Sequence, residues 1–398
     1  MAPPPPELPA DIVEQIFLRL PPDEPGCLFR ASRVSKFWLR RLAGPDFRHE
    51  YCELHGTPPM LGFLTRHSPK EEDHVSTLFV PTLKLRPPGP APARGYLRPL
   101  DARHGRVLFQ TDPPGCLYEG YYPEPEYIVW DPITHEEWVF QKPGQLWGGW
   151  PAVLCAKPGC DHLDCHGHPF QVACVIVEEF LCSATLYSSE AGYWRPSTHF
   201  VHCDQKLAVS STICVMPPSV LVGNTLDFDF RSTTAIIRYD LAEPELSLIK
   251  KPDDCKDGKM VVENGVLGMA AIVESSICLW SREVDEHGAA AWVQPRVINL
   301  VPLLPPLSLS TKPVMCGFAE RVGVVFLRTE AGIFTVELKS GRARNLCHEG
   351  NIGDPLIPSF FQERDVPQPI TVIPYMSFYK PGRDMKPLPP GHSEIEED

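Results

Sequence analysis

The sequence predicts a multidomain α+β chain: a small all-α module of three helices at the N-terminus, then an all-β body. Three observations predict it. Proline supplies 46 of 398 residues, about 12% where ~5% is usual, and a ring that lacks an N–H and clashes inside helices excludes a mostly helical body. Residues 8–55 carry apolar positions at helical spacing. From about Leu61 onward the pattern changes to short β-type runs separated by turn residues. Hydrophobic residues at 43% and charged residues at 22% are ordinary globular usage, so the proline marks turns in a folded protein.

The first helix begins at Pro9, where a missing N–H costs nothing, and Ile12, Val13, Ile16, Phe17 and Leu20 form one apolar stripe. Pro21 and Pro22 end it. Asp23 or Glu24 can cap a second helix with Pro25 in its first turn and an inner face of Cys27, Leu28, Ala31 and Val34. The third runs from Ser35 through Phe37, Trp38, Leu39 and Leu42 to Gly44-Pro45. Three helices of this size make a marginal core that a partner surface would help. Between Arg30 and Arg48 there are also six bases (Arg30, Arg33, Lys36, Arg40, Arg41, Arg48) and one acid, Asp46. Such a stretch either steers an acidic partner or is a solvated helix face.

In the body, strand-like runs include Val75–Val80, Val107–Phe109, Tyr127–Trp130, Val172–Val177, Ala184–Tyr187, Ala235–Tyr239, Val266–Val273, Ile277–Trp280, Val322–Leu327 and Gly332–Leu338. Their steady spacing suggests a sandwich, barrel or propeller. A weak repeat chooses among these. Trp130-Asp131, Tyr187-Ser188, Tyr239-Asp240, Trp280-Ser281 and Val336-Glu337 each end a strand in the same frame, roughly 40–60 residues apart, close to the ~50 of a kelch-type blade. Residues 61–380 then hold about six such blades. An irregular sandwich is the alternative. Residues 1–7, with the run Pro3–Pro6, read as a disordered leader, and 381–398 as an acidic disordered tail.

Leu8-Pro9-x-Asp11-Ile12-Val13-x-x-Ile16-Phe17-x-x-Leu20-Pro21, followed by Leu28-Phe29-x-Ala31-x-x-Val34-Ser35-Lys36-x-Trp38, closely resembles the F-box. The extension Pro45-Asp46-Phe47-Arg48-x-x-Tyr51 is similar to that of plant F-box families, the grass ones above all. Asp101-x-Arg103-His104-Gly105-Arg106-Val107-Leu108 and Val129-Trp130-Asp131-Pro132-x-Thr134 resemble the F-box-associated β domains of grass proteins. The resemblance implies that the N-terminal segment docks on the Skp adaptor of an SCF cullin–RING ubiquitin ligase, and that the β domain recruits a protein target. By the same resemblance the fold and the adaptor contact rest on Leu8, Pro9, Ile12, Ile16, Leu20, Pro22, Leu28, Val34 and Trp38. Ser35 departs from the Cys that many members carry. The alternative is a kelch-like carbohydrate- or metal-binding protein with a vestigial F-box.

The search for chemistry returns little. Cys155-x4-Cys160-x-His162-x2-Cys165-His166-x-His168 gathers zinc-type donors. It lacks the paired C-x2-C spacing of common fingers, and it lies between strand-like runs, so it reads as a polar loop. Were a metal bound, Cys160, His162, Cys165 and His168 would be its ligands. No P-loop, H-E-x-x-H, G-x-S-x-G or dinucleotide fingerprint is present, so neither catalysis nor a cofactor is expected. Large aromatics near Gly/Pro-rich stretches either plug gaps between blades or form a substrate surface. For such a surface the residues are Tyr121, Tyr122, Trp147 and Trp150.

A net charge of −13 argues against nucleic-acid binding. No run approaches the ~20 apolar residues of a membrane helix, and no signal-peptide pattern opens the chain. Fourteen scattered cysteines without an N-x-[ST] site suggest a reduced cytoplasmic or nuclear setting. Residues 8–55 hold seven acids and seven bases, so nearly all of the negative charge lies on the body and tails.

Overall fold

The computed structural model describes residues 9–67, 76–82, 96–112, 125–143, 149–178, 181–202, 217–229, 234–255, 258–284, 287, 289–346, 371–379 and 381. Leu8, the proline-rich leader and nearly all of the acidic tail lie outside them.

Four helices come first, not three. Helix α1 spans Ala10–Leu18 behind Pro9, and α2 spans Pro25–Ser32 with Pro25 in its first turn. In α3 (Lys36–Leu42) the Ser35 hydroxyl accepts a bond from the Trp38 N–H at 3.2 Å. Serine at this position is therefore a helix cap. Gly44-Pro45, expected to stop the bundle, instead opens α4 (Pro45–His55), since proline fits a first turn as well as it breaks an interior. The bundle core is Leu18, Leu28, Phe29, Leu42, Phe47, Tyr51 and Cys52.

The β body is a six-bladed propeller. After α4 come β1 (Met60–His67) and β2 (Ser76–Pro81). Five four-stranded antiparallel meanders follow. The first holds β3 (Tyr96–Arg103), β4 (Arg106–Asp112), β5 (Glu126–Trp130) and β6 (Glu137–Gln141). The second holds β7 (Gly149–Cys155), β8 (Phe170–Glu178), β9 (Leu181–Ser188) and β10 (Tyr193–His202). The third has β11 (Val220–Val222), β12 (Thr225–Asp229), β13 (Ala235–Asp240) and β14 (Glu245–Lys250). The fourth has β15 (Lys259–Glu263), β16 (Val266–Val273), β17 (Ser276–Val284) and β18 (Ala290–Asn299). The fifth has β19 (Val314–Ala319), β20 (Val324–Thr329), β21 (Gly332–Glu337) and β22 (Ala343–Asn345). Last, β23 (Ile373–Met376) returns from the C-terminal region to pair with β1, in the order β2-β1-β23. The sixth blade thus joins both ends of the domain, and β23 packs between β3 and β19 to close the ring. Closure leaves the ring without an open sheet edge at that seam.

The repeat read from sequence marks one structural position. Trp130, Tyr187, Tyr239, Trp280 and Val336 all lie on third strands: β5, β9, β13, β17 and β21. In four of the five the polar residue stands at the strand end or just past it, whereas Ser281 lies inside β17, which runs on to Val284. Asp131 Oδ1 accepts from the N–H groups of Ile133 and Thr134, and Asp240 Oδ1 from those of Ala242 and Glu243. A short side chain that holds the turn backbone makes such positions recur.

Candidate functional site

Two places merit a functional reading: the outer face of the helical bundle, and the hub where bundle, loop and propeller meet.

On the bundle, much of the apolar stripe faces outward, Val34 included although it was expected on an inner face. Ile12 is 48% exposed, Ile16 47%, Phe37 56% and Val34 72%. Pro9 is exposed too, while Leu20, Pro22 and Trp38 are half-buried. Leu28, at 2% exposure, belongs to the core and offers no surface. The reason is a competition for the interior. Leu18, Leu28 and Leu42 fill it, and the propeller inserts Phe378 and Tyr379 beside Phe47 and Tyr51. Trp38 meets Phe17 edge to face at 5.1 Å and Phe37 at 5.3 Å, so an aromatic ridge borders the apolar face. Of the basic stretch, Arg48 pairs with Asp164 of the propeller and Arg41 with Glu14. Those two bases are consumed within the chain. Lys36 and Arg40 are exposed.

The hub is organised by the β3–β4 hairpin. His104 and Gly105 both take positive φ, 54° and 74°. A Cβ at Gly105 would stand 2.7 Å from the His166 ring, so glycine is required there. Each flanking side chain reaches a different blade. Asp101 Oδ2 accepts the Val153 N–H at 2.9 Å. Arg103 bonds Asp101 at 2.9 Å, the Ser219 carbonyl at 2.7 Å and Glu320 at 2.9 Å. Burial works against the Arg103 charge, yet Asp101 and Glu320 outweigh it and raise its pKa. Burial pushes Asp101 up to about 6, against the opposing pull of Arg103. Tyr375 on the closing strand donates to the Gly105 carbonyl at 3.2 Å. These groups line one end of a central cavity of ≈ 550 Å³.

The loop joining β7 and β8 lies across this end. His104 Nδ1 accepts the Cys155 N–H at 3.0 Å. Arg106, fully buried, donates through Nη2 to the carbonyls of Cys165 (2.9 Å) and His168, while its Nε and Nη1 find no partner. The same loop reaches the bundle, with Leu163 against the helical core and Asp164 on Arg48. His166 bonds Asp131 through Nδ1 at 2.7 Å and Ser377 through Nε2 at 2.9 Å. Ser377 also donates to the Phe378 carbonyl at 3.2 Å. Asp, His and Ser at these distances tie three segments together: the β5–β6 turn, the loop and the chain after β23.

The sulfur chemistry departs from the expected ligand set. Cys155, Cys160, Cys165 and His168 bring their ligand atoms within 4.8 Å of one another. His162 is not among the four. It takes φ 59°, stacks on His104 at 4.1 Å and sets Nδ1 3.7 Å from Cys165 Sγ. Cys155, at the end of β7, stands among the zinc-type donors read from the sequence but not among the four expected ligands; it takes the place given there to His162. The thiols shift one another. The hydrogen bond with Cys165, aided by His162 and opposed by burial, pulls Cys155 down to about 3, and the same bond, with burial, drives Cys165 up.

Among the proposed substrate residues, Trp150 is half-buried in β7 and packs against the core between the second and third blades. It fills the gap between blades and is not a loop contact. Tyr121, Tyr122 and Trp147 lie outside the described residues. The strand ends that bound their segments, Asp112 with Glu126 and Gln141 with Gly149, lie on the face opposite the bundle, because each antiparallel strand reverses direction.

Residues 6–50 match the F-box domain, and the N-terminal bundle is therefore an F-box domain. No curated protein matches the chain. Among solved structures, a protein from Lactobacillus plantarum aligns at 9% identity and TM-score 0.39, over 72% of this chain and 81% of its own. A functionally unknown protein from Desulfotomaculum acetoxidans aligns at 8% and 0.39, over 80% and 84%. TolB from Acinetobacter baumannii aligns at 11% and 0.39, over 75% and 69%.

Proposed function

We propose that this chain is a substrate receptor of an SCF-type ubiquitin ligase, with the F-box held by the Skp adaptor and the propeller holding a protein target. The observation that carries the reading is the apolar face of Ile12, Ile16, Val34 and Phe37, left exposed in a domain whose residues 6–50 match the F-box. Apolar surface concentrated on one side of a small bundle favours burial by a partner. The chain then works as a non-catalytic adaptor, by bringing a target close to a ubiquitin-charged enzyme.

The topology supports a division of labour. The bundle sits at the propeller end that carries the β3–β4 turn and the β7–β8 loop. The opposite propeller end is left for a target. The F-box is neutral and the rest of the chain strongly acidic, which favours a neutral or basic target. The test is co-purification of the full chain with a Skp adaptor, set against a Leu8→Ala/Trp38→Ala double variant. Loss of the adaptor from the variant is the expected result. Undiminished recovery would remove the F-box as the docking element.

A further inference from the structure

Cys155, Cys160, Cys165 and His168 bring their ligand atoms within 4.8 Å of one another at the junction of F-box and propeller. Cys160 Sγ lies 3.7 Å from Cys165 Sγ and 3.9 Å from His168 Nδ1. Zinc–sulfur bonds of ~2.3 Å in tetrahedral geometry put neighbouring sulfurs about 3.8 Å apart, and a sulfur and a nitrogen about 3.6 Å apart. The observed edges are close to these values. They are far from the ~2.05 Å of a disulfide, and Cys160 and Cys165 are free thiols.

The surroundings are those of a metal–thiolate centre. The His162 N–H points at Cys160 Sγ at 3.4 Å, the Lys157 N–H bonds Cys155, and the His162 ring faces Cys165. Charge gives an independent reason. Arg106 is fully buried one carbonyl away from the cluster, no carboxylate pairs with it among the described residues, and two of its donors are unpartnered. A buried cation without a carboxylate partner is costly. Three thiolates and one neutral imidazole on a divalent ion carry a net −1, which offsets it.

We propose that Cys155, Cys160, Cys165 and His168 bind one structural zinc ion, and that the metal fixes the β7–β8 loop and, through it, the F-box against the propeller. Binding forms three Zn–S bonds and one Zn–N bond, and every proton the three sulfurs still hold is released. His168 ligates through Nδ1 and carries its proton on Nε2. The exposed Lys157 ammonium, now 3.3 Å from Nε2, turns away to solvent. With all four positions taken by protein the site is closed, as structural zinc sites are. From the fixed loop, Leu163 and Asp164 hold the bundle and His166 holds Asp131 and Ser377.

The test uses the full chain, purified under reducing conditions from zinc-supplemented cells and desalted. Elemental analysis should give about one zinc per chain, and X-ray absorption three sulfurs at ~2.3 Å with one nitrogen near 2.0 Å. Cys165→Ser and His168→Ala should each cut zinc content more than about tenfold, while His162→Ala retains it. A chelator should raise amide exchange in residues 156–169 and in α4, and leave β13 to β16 unchanged. Sub-stoichiometric metal in the wild type, a Cys160–Cys165 disulfide, or full zinc in His168→Ala would overturn the site. An α4 whose exchange ignores the chelator would overturn the coupling to the F-box. The wild-type measurements need no variant to fold.

Discussion

The F-box and the propeller solve the burial problem in opposite ways. The propeller completes itself: β23 returns to β1, and Phe63, Val107, Phe109, Ile128 and Val325 reach full burial among its own strands. The F-box does not. It borrows Phe378 and Tyr379 from the propeller on one side and leaves Ile12, Ile16, Val34 and Phe37 in solvent on the other. The lesson is that apolar periodicity alone identifies a helix face but not what covers it. In the propeller the neighbour is the next blade, and for the outer face of the F-box we propose a different molecule.

Substitutions can break this contrast or sharpen it. The largest effect is expected at the closure. Tyr375→Ala empties a fully buried site on β23 and removes the bond to Gly105, and denaturant unfolding should show a loss of about 3–5 kcal/mol. Ile16→Ala should move the same midpoint by less than about 0.5 kcal/mol.

Next comes a pH effect at the hub. Burial holds the Asp101 pKa near 6, above its ordinary 3.8. Between those values the folded protein keeps a proton that the unfolded chain has released. The destabilising contribution of Asp101 is thus complete above about pH 6 and fades as the pH falls towards 3.8. Relative to Asp101→Asn, the wild type should gain up to about 3 kcal/mol over that range. A constant difference would show that Arg103 keeps Asp101 ionised.

His166→Ala leaves Asp131 buried without its partner, and a loss of about 1–3 kcal/mol in thermal or chemical unfolding is expected. Smallest is Arg48→Ala, which removes the mostly buried pair with Asp164 across the domain junction. About 1 kcal/mol is expected, read as faster proteolysis between α4 and β1.

Much of this architecture is legible in the sequence because local chemistry dictates it. The helix starts follow from proline, and the described parts of the strand-like runs fall on strands because β-branched and apolar residues recur there between turns, save the start at Val322, in the 3-10 turn before β20, and Leu338 just past β21. The frame from Trp130-Asp131 to Val336-Glu337 is legible because each blade needs a turn after its third strand. What escaped depends on contacts distant in sequence. The strand role of Ile373–Met376 exists only because β1 waits more than 300 residues earlier. Helix α4 was hidden by a proline that can end one helix or begin another. Cys155 was visible as a donor but its place in the cluster was not, and His162 was preferred by spacing although the loop turns its ring onto His104. The hub residues Asp101, Arg103 and Arg106 were visible as a family-like motif, but their reach into three other blades was not.

The most direct test of the contrast measures adaptor binding and folding in one protein. Ile16→Asp combined with Val34→Asp places charge on the exposed face and touches no buried core residue. Calorimetric titration of the full chain with purified Skp adaptor should show wild-type binding reduced by more than roughly 100-fold in the double variant, with the thermal unfolding transition unchanged. Binding undiminished in a normally folded double variant would contradict the assignment of that face to the adaptor.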